Sequence, residues 1–342
     1  MYLEHFQLKD FPFRLSTDED FFFMSRGHAR AKAYMSYTLV SKDSFVIITG
    51  EIGAGKTTLL RKLITEMTDD IVLAHIDQTQ LDETEFLQAV CTAFGLETGQ
   101  AGKVDLIDRL RRFLLRQAKA GRRVLLAVDE AQSLSFGVLE LIRQLSGIES
   151  NKAKLMSVML LGQPELEKVV DSPQMEQLAQ RVRLRLHLGP MTESESREYV
   201  MHRLKVAGAA RTDLFEEGAF PVIQRYAGGI PRLINSLCDM ALLSAYVEDQ
   251  RRVSPDTVEL AAKELDWVSF EERQARKNMN GAGAMLAQHR GGSGAPDQEL
   301  IEFSQAIQTA ISSVASGFHD VRAELQAIER QLAEVVKRLD QR

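Results

Sequence analysis

Gly50-Glu51-Ile52-Gly53-Ala54-Gly55-Lys56-Thr57-Thr58 is the stretch that most limits what this chain can become. It follows a short apolar run, Phe45-Val46-Ile47-Ile48-Thr49, that reads as a buried strand. From Thr57 onward, Leu59, Leu60, Leu63 and Ile64 recur at helical spacing. A strand, a glycine-rich turn and a helix in that order form a cradle for phosphate. The glycines let backbone N–H groups point inward, and the helix N-terminus adds a positive dipole end. Lys56 is placed to reach the β and γ phosphates of a nucleotide, and the Thr57 hydroxyl to face Mg²⁺. The plain alternative is a glycine-rich turn with a surface lysine.

Further apolar runs extend the pattern. Ile71–Ile76, Val124–Val128 and Leu155–Leu161 read as strands, and Leu87–Phe94, Leu106–Leu115 and Val138–Leu145 as helices between them. Val182–Leu188 alternates apolar and polar residues, as a half-exposed or edge strand does. Strands alternating with helices imply a parallel sheet covered on both faces. After Pro190 the pattern becomes all helical up to about Trp267, opening at a capping box, Thr192-x-x-Glu195.

Asp129-Glu130 ends the Val124–Val128 run. In that place Asp129 is expected to hold Mg²⁺ and Glu130 to orient the attacking water. The alternative is an acidic strand end that caps the next helix. Gln163 follows the fourth strand, where ligands of an open parallel sheet lie, so it is a candidate to touch the γ-phosphate or its water. Arg181, Arg183 and Arg185 alternate and are expected on one side of the fifth strand, with one reaching a neighbouring subunit's nucleotide. A solvated edge is the alternative for each. Arg232 follows Gly228-Gly229-Ile230-Pro231 at a helix start, where a cation suits an anionic ligand better than it suits the helix dipole. Phe21-Phe22-Phe23 reads first as core and second as contact with the nucleotide base. The seven histidines are scattered without metal-ligand spacing, which argues against a structural metal site.

These motifs resemble the AAA+ ATPases of the general secretion pathway protein A type, and most of all the secretion ATPases of exopolysaccharide and exosortase loci. The resemblance runs from residue 1 to about 268. It rests on Phe11-Pro12-Phe13, the P-loop, Asp129-Glu130-Ala131-Gln132, Gly162-Gln163-Pro164-Glu165-Leu166, Gln180-Arg181 and Gly229-Ile230-Pro231-Arg232. It implies an α/β fold: the P-loop NTPase (AAA+) parallel sheet with helices on both faces, then an all-helical lid, to which the pattern of the last residues adds a C-terminal coiled coil. It implies Gln163 as sensor 1, Arg232 as sensor 2 and Arg181 as the arginine finger. It also implies ATP with Mg²⁺, and an oligomeric ring with nucleotide between subunits. The domains are then a nucleotide-binding domain over 1–190, a lid over 191–268, a flexible linker over 269–299 and a coiled coil over 300–342.

The last segment supports the coiled coil independently. Ile307, Ile311, Val314, Phe318, Val321, Leu325, Ile328, Leu332, Val335 and Leu339 are spaced alternately by four and three. Before it lie Gly281 to Gly283 and Gly291-Gly292-Ser293-Gly294, of flexible-linker composition. Proteins of the family continue instead into a membrane segment and a peptidoglycan-binding domain. That difference favours docking on a partner, such as a membrane-embedded export component, over binding the cell wall.

Charge sorts the remaining readings. Lys plus Arg number 42 against 48 Asp plus Glu, a net charge of −6, so the chain has no global footprint for nucleic acid. A DNA-associated ATPase of the transposition-helper or origin-recognition type is therefore the second reading. A nucleotide-switch scaffold with negligible turnover is the third. No apolar stretch reaches the ~18–20 residues of a membrane helix, and the N-terminus has no signal-peptide pattern. Cys91 and Cys238 are expected as buried free thiols. A cytoplasmic protein, peripheral at the inner membrane through a partner, is the expectation.

Overall fold

The structure, a computed structural model, describes residues 2–277 apart from 17, 42–44, 151–152 and 212. The expected coiled coil over 300–342 and residues 278–299 of the expected linker lie outside the described residues.

Five parallel strands make the main sheet: β1 (Phe45–Gly50), β2 (Ile71–Ile76), β3 (Arg123–Val128), β4 (Ser157–Gly162) and β5 (Leu184–Leu188). Their spatial order is β2-β3-β4-β1-β5. Val46 lies opposite Met159 on one side and Leu184 on the other, so β1 is an interior strand. Both faces are buried, which is why the central runs are continuously apolar rather than alternating. Phe45 and Ile47 of β1, Leu126 and Val128 of β3, and Val158 and Leu160 of β4 enter one layer. Val46, Ile48, Leu125, Ala127, Met159 and Leu161 enter the other.

The first layer is covered by α3 (Glu83–Ala93), α4 (Lys103–Lys119), α5 (Phe136–Ser146) and α6 (Glu165–Val170). The second is covered by α1 (Arg26–Val40) and α2 (Lys56–Thr65), through Ala31, Met35, Leu59, Leu60 and Leu63. The edge strand β5 buries Leu186 and Leu188 and exposes Arg185 and His187, as its alternation predicts. It begins at Leu184 rather than Val182. The fourth strand likewise begins at Ser157 rather than Leu155, because Leu155 N–H is spent closing a small hairpin onto the Ile148 carbonyl at 3.0 Å. That hairpin, Glu149–Ser150 with Ala153–Lys154, is too short for a sequence pattern to announce.

The helical part comprises α7 (Glu193–Val206), α8 (Ala219–Ala227), α9 (Pro231–Val247) and α10 (Pro255–Glu264). The expected capping box is present at α7: Glu195 N–H donates to Thr192 Oγ1 at 3.3 Å, and Thr192 N–H to Glu195 Oε2 at 3.0 Å. The N-terminal residues differ from the expectation that 1–190 pack around the sheet. Tyr2, Phe6, Leu8, Phe13 and Phe21 are buried in the helical core instead. Tyr2 also donates from its hydroxyl to Asp239 Oδ1 of α9 at 2.6 Å. A short aromatic-rich segment cannot bury itself, and the helices offer the apolar face it needs. Cys91 and Cys238 are buried free thiols. Among the described residues no helix is long and apolar enough to cross a membrane.

Candidate functional site

β1 ends at Gly50, and α2 begins at Lys56. The turn between them uses Gly53 at φ +80° and Gly55 at φ +96°, values that side-chain-bearing residues rarely adopt. Space demands glycine as well. A Cβ on Gly53 would lie 2.3 Å from Arg232 Cβ, and one on Gly55 would lie 2.8 Å from His28 Nε2. Lys56 is only 6% exposed, and its Nζ donates to the Gly50 carbonyl at 2.8 Å and the Glu51 carbonyl at 3.1 Å. Burial holds this ammonium below the ordinary lysine range, opposed by the nearby carboxylates of Glu130 and Asp129. A buried cation held only by carbonyls is suited to exchanging them for phosphate oxygens.

The strand order brings the carboxyl ends of β3, β4 and β1 side by side, where open parallel sheets bind ligands. Thr57 Oγ1 donates to Asp129 Oδ2 at 2.5 Å across 72 residues of sequence. Asp129 is 3% exposed, and its Oδ1 accepts the Glu130 N–H at 2.9 Å. A hydroxyl and a carboxylate are hard oxygen donors, the set Mg²⁺ uses beside substrate phosphates, so Thr57 and Asp129 fit that ion. Gln163, at the end of β4, lies close enough for its Nε2 to reach Glu130 Oε2 at 3.5 Å, the limit of a hydrogen bond.

Arg232 closes the site from the helical side. It follows Pro231 in the first turn of α9, and its N–H donates to the Gly53 carbonyl at 3.3 Å. Its guanidinium has no hydrogen-bond partner among the described residues. The cavity between sheet and helices is lined by Gly53, Lys56, Thr57, Glu130 and Arg232, and on its apolar wall by Phe21, Phe22, Phe23 and Tyr199. Phe21 is buried in the core, as the first reading expects, and all three phenylalanines line the cavity.

The residues 50–58, Asp129, Glu130, Gln163 and Arg232 therefore converge. Arg181 does not join them within its own chain. Arg183 N–H donates to the carbonyl of Phe45, the first residue of β1, at 2.9 Å, and Arg181 Nη1 donates to Ser146 Oγ at 3.2 Å. Both arginines sit at the amino end of the sheet. The expected single row of Arg181, Arg183 and Arg185 is also corrected, since only Arg185 lies within β5, where it pairs with Asp171.

One contact escaped the sequence. His28 in α1 is buried, and its Nε2 donates to the Ala54 carbonyl of the P-loop at 2.9 Å. A carbonyl only accepts, so Nδ1 is the acceptor for the Ser25 hydroxyl at 2.7 Å. A lone histidine 26 residues upstream carries no local signal of this contact.

An AAA domain family matches residues 39–170. General secretion pathway protein A of Aeromonas hydrophila is 39% identical over 272 residues, covering 79% of this chain and 50% of that protein. The chain thus spans about half the length of the curated relative it matches. Among solved structures, Cdc6p of Pyrobaculum aerophilum superposes with a TM-score of 0.56 at 15% identity, covering 74% of this chain and 70% of that one. The ORC2 protein of Aeropyrum pernix gives a TM-score of 0.51 at 17% identity, over 70% and 66% of the two chains. At such identities these two speak for the fold alone, whereas the Aeromonas protein is similar in sequence over most of this chain. The chain thus carries an AAA domain and is a homologue of general secretion pathway protein A over most of its own length.

Proposed function

We propose that the protein binds ATP with Mg²⁺, hydrolyses it, and uses the cycle to drive or regulate assembly of a secretion or exopolysaccharide-export apparatus. The observation that carries the chemistry is the Thr57–Asp129 contact, with Lys56 and Glu130 in the same cavity. The N–H groups of Gly53 to Thr58 and the Lys56 ammonium hold the β and γ phosphates. Thr57 and Asp129 hold Mg²⁺, which neutralises phosphate charge when bound. Glu130 orients and polarises water for in-line attack on the γ-phosphorus. Gln163 steadies that water or a γ-oxygen. Arg232, whose guanidinium has no hydrogen-bond partner among the described residues, meets the charge that develops on the phosphates.

Arg181 acts on a different molecule's nucleotide. Its place at the amino end of the sheet supports a head-to-tail ring in which each subunit supplies an arginine to the next. The name of the Aeromonas relative supports a secretion role. The heptads of 307–339 support recruitment by a protein partner, such as a membrane-embedded export component, at the cytoplasmic face of the inner membrane.

Turnover of ATP by the purified chain, with and without DNA, tests the reading. The expected result is turnover that DNA leaves unchanged. Glu130→Gln should retain ATP binding and lose roughly 10²–10⁴ in rate, the usual worth of a general base. Strong stimulation by DNA would favour an origin-recognition or transposition-helper role instead. Tight binding without turnover in the parent would favour a nucleotide switch.

A further inference from the structure

The Gln132 side chain lies between the two groups proposed to handle the attacking water. Its Oε1 accepts the backbone N–H of Gln163 at 2.9 Å. That partner only donates, which assigns the amide orientation and leaves Nε2 to face Glu130, where it donates to Oε2 at 2.7 Å. One rigid amide therefore ties the Glu130 carboxylate to the backbone at the end of β4.

The surroundings are built for this link. Glu130 takes φ +51°, a left-handed conformation that a residue with a side chain keeps only when neighbours hold it there. Its N–H is held by Asp129 Oδ1 at 2.9 Å, and its carbonyl accepts the Ser133 N–H at 3.0 Å. Between those two points the chain turns back, which brings Gln132 alongside its own Glu130. The approach to β4 is tight. A Cβ on Gly162 would lie 3.0 Å from Gln132 Oε1 and 3.3 Å from the Gln132 N. Glycine at 162 is what lets the amide reach the Gln163 N–H.

We infer that Gln132 is a positioning residue for hydrolysis: its amide holds the Glu130 carboxylate in the direction water must approach, and couples that direction to the position of Gln163. The inference rests on the reading that Glu130 serves hydrolysis. Without Gln132 the carboxylate turns freely about its side-chain torsions, and its other amide contact, Gln163 Nε2 at 3.5 Å, is too long to hold it. Binding of ATP is untouched, because Gln132 contacts neither the P-loop nor Lys56 in its hydrogen bonds. The effect falls on kcat and not on KM or Kd.

Two variants separate this role from a structural one. Gln132→Ala removes both hydrogen bonds. Gln132→Glu keeps an acceptor for the Gln163 N–H but replaces the donor to Glu130 with a second carboxylate. Both are expected to lose about 10²-fold in kcat, the scale of an ångström's misplacement of a reacting group, at parental ATP affinity and parental Tm. Parental kcat in Gln132→Ala overturns the inference. So does parental kcat in Gln132→Glu, which reduces Gln132 to a support for the β4 backbone. Either result, in a parent that loses turnover on Glu130→Gln, leaves the functional reading standing. A parent without turnover overturns both.

Discussion

The two ends of the sheet share the same strands and carry opposite equipment. At the carboxyl end, the groups supplied by the P-loop and the β3 end already have partners there: Lys56 with the Gly50 carbonyl, Thr57 with Asp129, Glu130 with Gln132. At the amino end, Arg181 hydrogen-bonds the Ser146 hydroxyl near the carboxylates of Glu140 and Glu149, and Arg183 offers a guanidinium with no hydrogen-bond partner among the described residues. Five steps along β1, from Phe45 to Gly50, separate the ends by about 16 Å at roughly 3.3 Å per residue. An arginine side chain does not span that distance around a packed sheet. On the proposed reading, the carboxyl end binds the nucleotide and the amino end serves another molecule.

Breaking each end should have different consequences. The largest effect is expected at the amino end. Arg181→Ala should lower kcat by roughly 10³–10⁵ while ATP affinity changes little, since a finger acts on transition-state charge. A parallel loss of affinity in a titration would place Arg181 in its own subunit's binding site and erase the distinction.

The next effect sharpens the carboxyl end. Gly53→Ala meets a positive φ and a Cβ position 2.3 Å from Arg232 Cβ, so it pushes α9 from the P-loop. Gly121→Ala meets φ +73° with nothing within 4 Å. Both should lose about 1–3 kcal/mol of stability to backbone strain. Only Gly53→Ala should also weaken ATP binding, by about tenfold. Equal ATP affinity in the two variants would show that the Arg232 contact plays no part in binding.

The smallest effect is a pH slope. Burial lowers the pKa of His28 below its ordinary 6.5, against opposing help from the Ala54 carbonyl and Glu195. A histidine depressed in the fold contributes stability that is present above 6.5 and is lost as pH falls through that value toward the folded one. Burial, Arg203 and Lys205 lower His202 in the same direction. The thermal unfolding midpoint should therefore fall from pH 7.5 to 5.5, on the order of the linkage of one or two histidines, and His28→Gln should flatten part of that slope. A slope unchanged in His28→Gln would assign it to other groups.

Much of this was legible in the sequence because its signals are local. Ile71–Ile76 is a strand to the residue, and the P-loop and Asp129-Glu130 stand where strand ends put them. The partners of Gln132 were not legible, although the residue sits in a recognisable motif. They depend on how closely β4 approaches the turn after β3. The packing of Tyr2 to Phe21 on the helices was hidden for a similar reason: Tyr2 and Asp239 meet across 237 residues, and nothing local selects that surface over the sheet. The alternation of Arg181, Arg183 and Arg185 misled because the strand begins three residues after Arg181, so a period of two had no strand to act on.

Mixing two inactive variants tests the division between the ends most directly. Arg181→Ala keeps an intact carboxyl end, and Lys56→Ala keeps an intact amino end. If the ends meet between subunits, mixed assemblies contain some sites with both groups present. ATP turnover should then reappear on mixing, rise to a maximum at intermediate ratios, and vanish again in either pure variant. Mixtures that co-assemble and stay inactive at every ratio would contradict the account.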